Sequence, residues 1–253
     1  MSFGITHLIG FGSRRAAGGA GATASYNAVA NWSGSKYLSR TPSSNGSARK
    51  GTLSLWCKRS ATGALNAFGA QDTSGSGNVF FPLFTAGNAL GLYINGGGTT
   101  HASSGAYTST TTWYHIVFAI DTDQGTGDNR NRMYVNGVEV SYADANNYAS
   151  GTDIKMNQTT NTFRIGNNTA QSFSGKMAHL HWIDGAQLTP GDFSQAGVSG
   201  TVPKAYAGSF GTNGFLLDFA NSSDIGNDVS GLGNDVTVTG LVSGDVSAET
   251  VTY

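Results

Sequence analysis

The chain has 253 residues, long enough to bury a sizeable apolar core, and its one cysteine, Cys57, rules out an internal disulfide. Charged residues make up only 11% and the net charge is −1, which leaves no electrostatic footprint for nucleic acid or an anionic membrane. The 37 glycines against 4 prolines, with abundant Ser, Thr and Asn, point to many tight turns, and no apolar run is long enough to span a bilayer.

Residues 1–25 read as an arm with a short apolar head (Phe3, Ile5, Leu8, Ile9, Phe11) and a Gly/Ala-rich neck, suited to docking on a partner. They lack the basic start of a signal peptide, because Arg14 and Arg15 follow the apolar stretch rather than precede it. Short strand-like runs then recur between turn signals. They are Thr52–Lys58, Val79–Phe84, Ala89–Ile94, Trp113–Ile120, Arg132–Val135, Glu139–Tyr142, Thr162–Ile165, Met177–Ile183, Gly214–Phe219 and Asp235–Thr239. In Thr52–Lys58, Leu53, Leu55 and Cys57 alternate with Ser54 and Trp56, so Cys57 reads as a buried, inert thiol. A chain without disulfides fits synthesis in a reducing cytosol. Within Trp113–Gly137, Ile116, Phe118 and Ile120 share one face, Val117 and Ala119 the other, and Asn136-Gly137 makes a two-residue hairpin turn. Thr189–Gln195 is a helical turn, with Thr189 at its N-cap and Pro190 at its first position. Many short strands and no sustained helical period predict an all-β, two-sheet antiparallel sandwich over residues 26–242, with 243–253 as a tail.

Five stretches carry a family likeness: 36–60 (KYLSRTPSSNG with TLSLWCKRS), 113–140 (WYHIVFAIDTDQ with RMYVNGVEV), 163–168 (FRIGNN), 173–193 (FSGKMAHLHWIDGAQLTPGDF) and 202–238 (VPKAYAGSFGTNGFLLDF leading to DVSGLGNDVTV). With them the sequence resembles laminin-G-like, concanavalin A-like jelly rolls, in particular the version found in structural proteins of tailed phages, marine ones above all. In the wider laminin-G pattern the D-x-SG-x-GN segment stands near the start of the domain. Here it is Asp228–Asp235, near the end, which implies a permuted strand order. The resemblance implies a virion protein, in head decoration or a tail or fibre, with other capsid or tail subunits as partners and self-association open. It also implies possible sugar binding, although fold alone does not supply that function.

The residues offer little for catalysis. Hydrolysis of a polysaccharide needs two carboxyl groups flanking the bond, and the chain has two glutamates, Glu139 and Glu249, far apart in sequence. No G-x-S-x-G or cysteine–histidine signature is present. The loop Asp121–Arg132 carries Asp121, Asp123, Asp128 and Asn129 but misses the EF-hand glycine and closing glutamate, so it reads as a polar connector. Asp218, Asp224, Asp228 and Asp235 read as Asx-turn formers, and Ca²⁺ stays a weak alternative at both loops. His179 and His181 share a strand face opposite Leu180 and Trp182, as an exposed polar pair without further zinc ligands nearby in sequence; His115 reads as a core-edge residue. No metal or cofactor is assigned. Trp56, Trp113 and Trp182 read as core, while Tyr93, Tyr107, Tyr142 and Tyr148, in polar glycine-rich surroundings, are the candidate ligand-binding residues. Trp32 and Tyr37 lie in similar segments.

With the residues offering little for catalysis, the resemblance implies a non-enzymatic phage structural protein, assembled in the host cytoplasm, displayed on the virion and anchored by its arm. The alternative is a host-surface carbohydrate adhesin, and the remote one a polysaccharide hydrolase.

Overall fold

The computed structural model describes residues 25–30, 32, 35–66, 68–72, 78–93, 100–144, 148–154, 156–167 and 172–253. The arm residues Phe3, Ile5, Leu8, Ile9 and Phe11 lie outside them. Among the described residues, two antiparallel sheets of eight strands form the sandwich. Sheet I runs β11 (Val138–Glu139), β10 (Asn131–Val135), β9 (Tyr114–Asp121), β3 (Lys50–Arg59), β13 (Gly175–Asp184), β1 (Ser25–Val29) and β18 (Val246–Thr250), with β16 (Phe215–Leu217) also on β13. Sheet II runs β17 (Thr237–Thr239), β2 (Tyr37–Arg40), β12 (Asn161–Ile165), β5 (Phe68–Asp72), β6 (Asn78–Phe84), β7 (Ala89–Tyr93) and β8 (Thr100–Ala106), with β4 (Leu65–Asn66) on β6. A separate hairpin pairs β14 (Ser194–Gly197) with β15 (Gly200–Pro203).

The period-two pattern places the core. Leu53, Leu55, Cys57, Ile116, Phe118, Ile120, Met133, Leu180 and Trp182 face inward from sheet I and meet Leu38, Leu90, Leu92, Phe163 and Ile165 of sheet II. The Asn136-Gly137 turn has both residues at positive φ (51° and 81°) and joins Val135 to Val138 in register, as a two-residue hairpin requires.

The outer face of sheet I is covered as well. Residues 186–210 and the C-terminal residues Val251–Tyr253 lie over it, enclosing two apolar clusters: Val117, Ala119, Ile183, Phe193 and Phe210 in one, Ala28, Trp56, Trp113 and Val251 in the other. Trp56 and Trp113 are thus buried beneath this cover, whereas Trp182 lies between the sheets, as does Trp32.

Several boundaries differ from expectation. Residues 243–253, read as a tail, contain β18, which pairs with β1 from Ser25↔Thr250 to Val29↔Val246; its VSAET sequence is too polar to announce a strand. The run Glu139–Tyr142 pairs regularly only at Val138–Glu139, with Tyr142 in a lone bridge to Ser103. The helical turn shrinks to a 3-10 turn, Pro190–Asp192, in which the Asp192 carboxylate accepts both the N–H and the O–H of Thr189 at 3.0 Å. The Asp228–Asp235 segment feeds β17, which closes sheet II beside β2.

Candidate ligand-binding groove

Two open clefts meet at Asn136, on the turn of the β10–β11 hairpin. The first, of about 420 Å³, lies between the end of β8 and that hairpin and is lined by Ser104, Tyr107, Tyr114, Glu139 and Ser141. The second, of about 520 Å³, is lined by Lys58, Thr111, Thr112, Trp113, Thr252 and Tyr253. Asn136 is the ridge between them. Its positive-φ backbone suits an Asn, and its Oδ1 accepts the His115 N–H at 2.9 Å, which fixes the side chain.

The walls are built by local hydrogen bonding. Ser109 Oγ accepts from the Thr111 and Thr112 amides (3.3 and 3.2 Å) and from the Thr112 hydroxyl (2.8 Å), which curls the threonine run into a rim. Tyr114 Oη accepts the Ser109 N–H at 2.9 Å, tying that rim to β9. Lys58 sits 5.2 Å from the Trp113 ring centre and pairs with Glu249 at 3.1 Å. The Tyr253 ring stacks on Trp56 at 5.3 Å, so the second cleft's wall is an aromatic edge held from behind. Glu139 is the one carboxylate among the lining residues; Arg132 stands 3.5 Å from it and the Tyr142 hydroxyl 3.3 Å.

Of the four candidate tyrosines the groove takes one. Tyr107 lines the first cleft, edge-on to Tyr114 at 5.9 Å. Tyr142 turns inward, stacks on His101 at 4.1 Å, and its hydroxyl accepts the Met133 N–H at 3.0 Å. Tyr148 packs against the main core, and its carbonyl accepts from Arg130 at 2.9 Å. Tyr93 ends β7 in sheet II, away from both clefts. Tyr114, Asn136, the threonine run and Tyr253 went unread as site residues, because they converge only in three dimensions.

The acidic loops serve structure. Lys50 and Arg49 occupy the first one, pairing with Asp121 (3.2 Å), Asp123 (3.1 Å) and Asp153 (3.1 Å). In the second, Asp228 accepts from the Leu216, Ser230 and Asn234 amides at 2.8–2.9 Å, while Asp235 accepts the Asp228 N–H and Asp218 caps Ala220. Among the described residues no three His, Cys, Asp or Glu side chains are placed to hold a metal ion.

The histidine pair is not exposed. His181 faces away from the core with Ile183, but the cover buries it completely. His179 falls in a β-bulge, with φ +47°, and is partly buried. The bulge falls where the edge of β13 opposite β3 passes from β1 to β16, a change of partner that the sequence pattern does not encode.

The sequence profile of the concanavalin A-like lectin/glucanases superfamily matches residues 33–191. The chain belongs to that superfamily. A SAP-like pentraxin from Limulus polyphemus has the same fold, with a TM-score of 0.55 at 17% identity over 91% of this chain and 96% of the other. Mouse laminin α1 domains LG4-5 give 0.44 at 9% identity (71% and 45% covered). The CBM40 of Ruminococcus gnavus IT-sialidase, bound to α2,3 sialyllactose, gives 0.42 at 14% identity (62% and 91% covered). No curated protein matches the chain in sequence. The jelly roll thus has the laminin-G-like, concanavalin A-like architecture that the motifs implied.

Proposed function

We propose that this jelly roll is a non-enzymatic carbohydrate-binding module whose ligand lies along the two clefts that meet at Asn136. The observation that carries this reading is the groove's lining: hydroxyls of Thr111, Thr112, Thr252 and Ser141, the Asn136 ridge, and aromatic edges of Tyr107, Trp113 and Tyr253. Such a set matches a sugar, which offers hydroxyls around its rim and apolar C–H faces. The lining contains a single carboxylate, Glu139, whereas glycoside hydrolysis requires a pair, and Glu249 is already committed to Lys58 and Lys176. A glycan array with the full chain should show binding, and N136A with T112A should remove it while the near-UV circular dichroism stays native. Binding that survives both substitutions would place the site elsewhere.

A second reading, favoured by the motifs in 202–238, is display on a tailed-phage particle, with residues 1–24 docked on a capsid or tail subunit. The two roles are compatible. Ser25 opens β1, so deleting residues 1–24 leaves sheet I whole. That deletion should abolish attachment to particles and leave glycan binding unchanged. Attachment by the truncated chain would refute the anchoring role.

A further inference from the structure

Three histidines lie between sheet I and its cover. The His115 ring stacks on Trp56 at 4.6 Å, and its Nε2 lies 2.9 Å from Ser54 Oγ. The His181 ring stands 5.0 Å from Phe193 and 5.6 Å from His179, and its Nε2 accepts the Tyr206 N–H at 3.3 Å. His179 meets the Tyr26 ring edge-on at 5.5 Å. The Nδ1 atoms of His115 and His179 are buried without a hydrogen-bond partner.

The middle of the cover is held to the sheet by few polar contacts. Among the described residues these are the Tyr206–His181 bond and the Tyr26 hydroxyl on the Pro203 carbonyl (3.1 Å); the two parts of the cover join each other through the Thr201–Tyr253 backbone pair (3.0 and 3.2 Å), and Tyr253 rests on Trp56 and His115. Its start is pinned more firmly, through Thr52 to Ala186 and Leu188 and through Gln187 to Ala119 and Asn129.

We propose that the cover is an acid-released latch: protonation of His115, His179 and His181 lifts the β14–β15 hairpin and residues 204–206 and 251–253 off sheet I, while the core between the sheets stays folded. Closed, the site disfavours charge on all three rings. Burial pushes His115 down to about 3 and His179 to about 4, and it drives His181 well below the ordinary value, helped by its two histidine neighbours. The surrounding elements offer little compensation. β3 contributes Ser54 and Trp56, β1 contributes Tyr26, and the cover contributes Tyr206 and Tyr253. Asp218, after β16, favours a charged His179, and the His179 backbone favours a charged His181. Nearby, Glu249 is held by Lys58 and Lys176, Asp192 by Thr189, and Lys204 by the Gly191 carbonyl.

The sign follows from linkage. An opened ring regains its ordinary value of 6.5, so below that pH the open state binds protons that the closed state refuses. Each such proton multiplies the open-to-closed ratio by about tenfold per pH unit, or about a thousandfold for three acting together.

Hydrogen exchange of the full chain between pH 7 and 3.5, corrected for the intrinsic rate, tests this. Segments 194–206 and 251–253 should lose protection together between about pH 4 and 5.5, with a slope of nearly three protons, while β9 and β12 keep theirs. The variant H179N/H181F, in which Asn suits the positive φ and Phe suits the apolar surroundings, should lower the midpoint and cut the slope to about one proton. Simultaneous loss of cover and core protection in the native chain, or an unchanged midpoint in a folded variant, overturns the proposal. A readout that needs no variant is the C2–H exchange of each imidazole against pH; three rings titrating near their ordinary value in the closed protein overturn it equally.

Discussion

Replacing Asp184 by Asn tests whether one buried carboxylate ties together the open end of the sandwich. Asp184 closes β13 and is 6% exposed. One oxygen accepts from Ser47 N (2.8 Å) and Asn157 Nδ2 (2.7 Å), the other from Asn213 N (3.0 Å) and Asn213 Nδ2 (3.4 Å), so four donors from three segments converge on it. Asn157 also accepts the Trp182 indole N–H at 2.8 Å, which carries the network into the core. An amide at position 184 must turn its NH₂ towards one pair of donors. Two bonds to a charged acceptor are lost, at about 1.5–3 kcal/mol each. Part is recovered, because burial holds the Asp184 carboxyl above its ordinary range despite its donors, so a neutral group is cheaper to bury. The net loss should be about 2–4 kcal/mol, a fall in melting temperature of about 5–15 °C for a chain of this size. Urea unfolding followed by tryptophan fluorescence, with m-values compared, measures it. A loss below about 0.5 kcal/mol at pH 7 would refute the reasoning, since it would mean the donors find equal partners without the charge.

Other sites give sharper yes-or-no outcomes. Cys57 is fully buried with its thiol pushed up to about 12, so a thiol reagent at pH 8 should label it only after denaturation. Gly166 has φ +91°, and a Cβ there would fall 2.0 Å from the Trp32 ring, whose indole N–H is held by the Val29 carbonyl; G166A should cost at least about 2 kcal/mol in equilibrium unfolding. Glu249 is raised by burial but lowered more by Lys176 and Lys58, and ends below its ordinary value of 4.5. Its clamp therefore contributes stability above that pH and loses it as pH falls. E249Q should be destabilised by about 1 kcal/mol at pH 7, with the gap to the native chain closing below pH 4.5 in parallel unfolding curves.

What the sequence disclosed divides at sheet I. Its inner face was legible because Leu53, Leu55, Ile116, Phe118 and Ile120 alternate strictly and the Asn136-Gly137 turn fixes their register. Its outer face was not, since His179 and His181 read as an exposed pair, His115 as a core-edge residue, and the covering residues Leu188, Phe193, Tyr206 and Phe210 follow no period. The groove was illegible for a related reason: its lining comes from around residues 58, 104–114, 135–141 and 250–253, far apart along the chain. The parts that escaped sequence reading are also the parts that touch. Tyr253 lines the second cleft while its ring stacks over His115 at 6.3 Å, and Asn136, the ridge between the clefts, accepts the His115 backbone N–H. Lifting residues 251–253 must therefore take away one wall of the groove, and a ligand that needs that wall must hold the cover closed. At a concentration a hundredfold above its dissociation constant such a ligand stabilises the closed state by about 2.7 kcal/mol. Three linked protons supply about 4 kcal/mol per pH unit, so a bound glycan should move the opening midpoint down by about 0.7 pH unit. An unmoved midpoint at saturating glycan would separate the groove from the latch, leaving Tyr253 as a support for the cover alone.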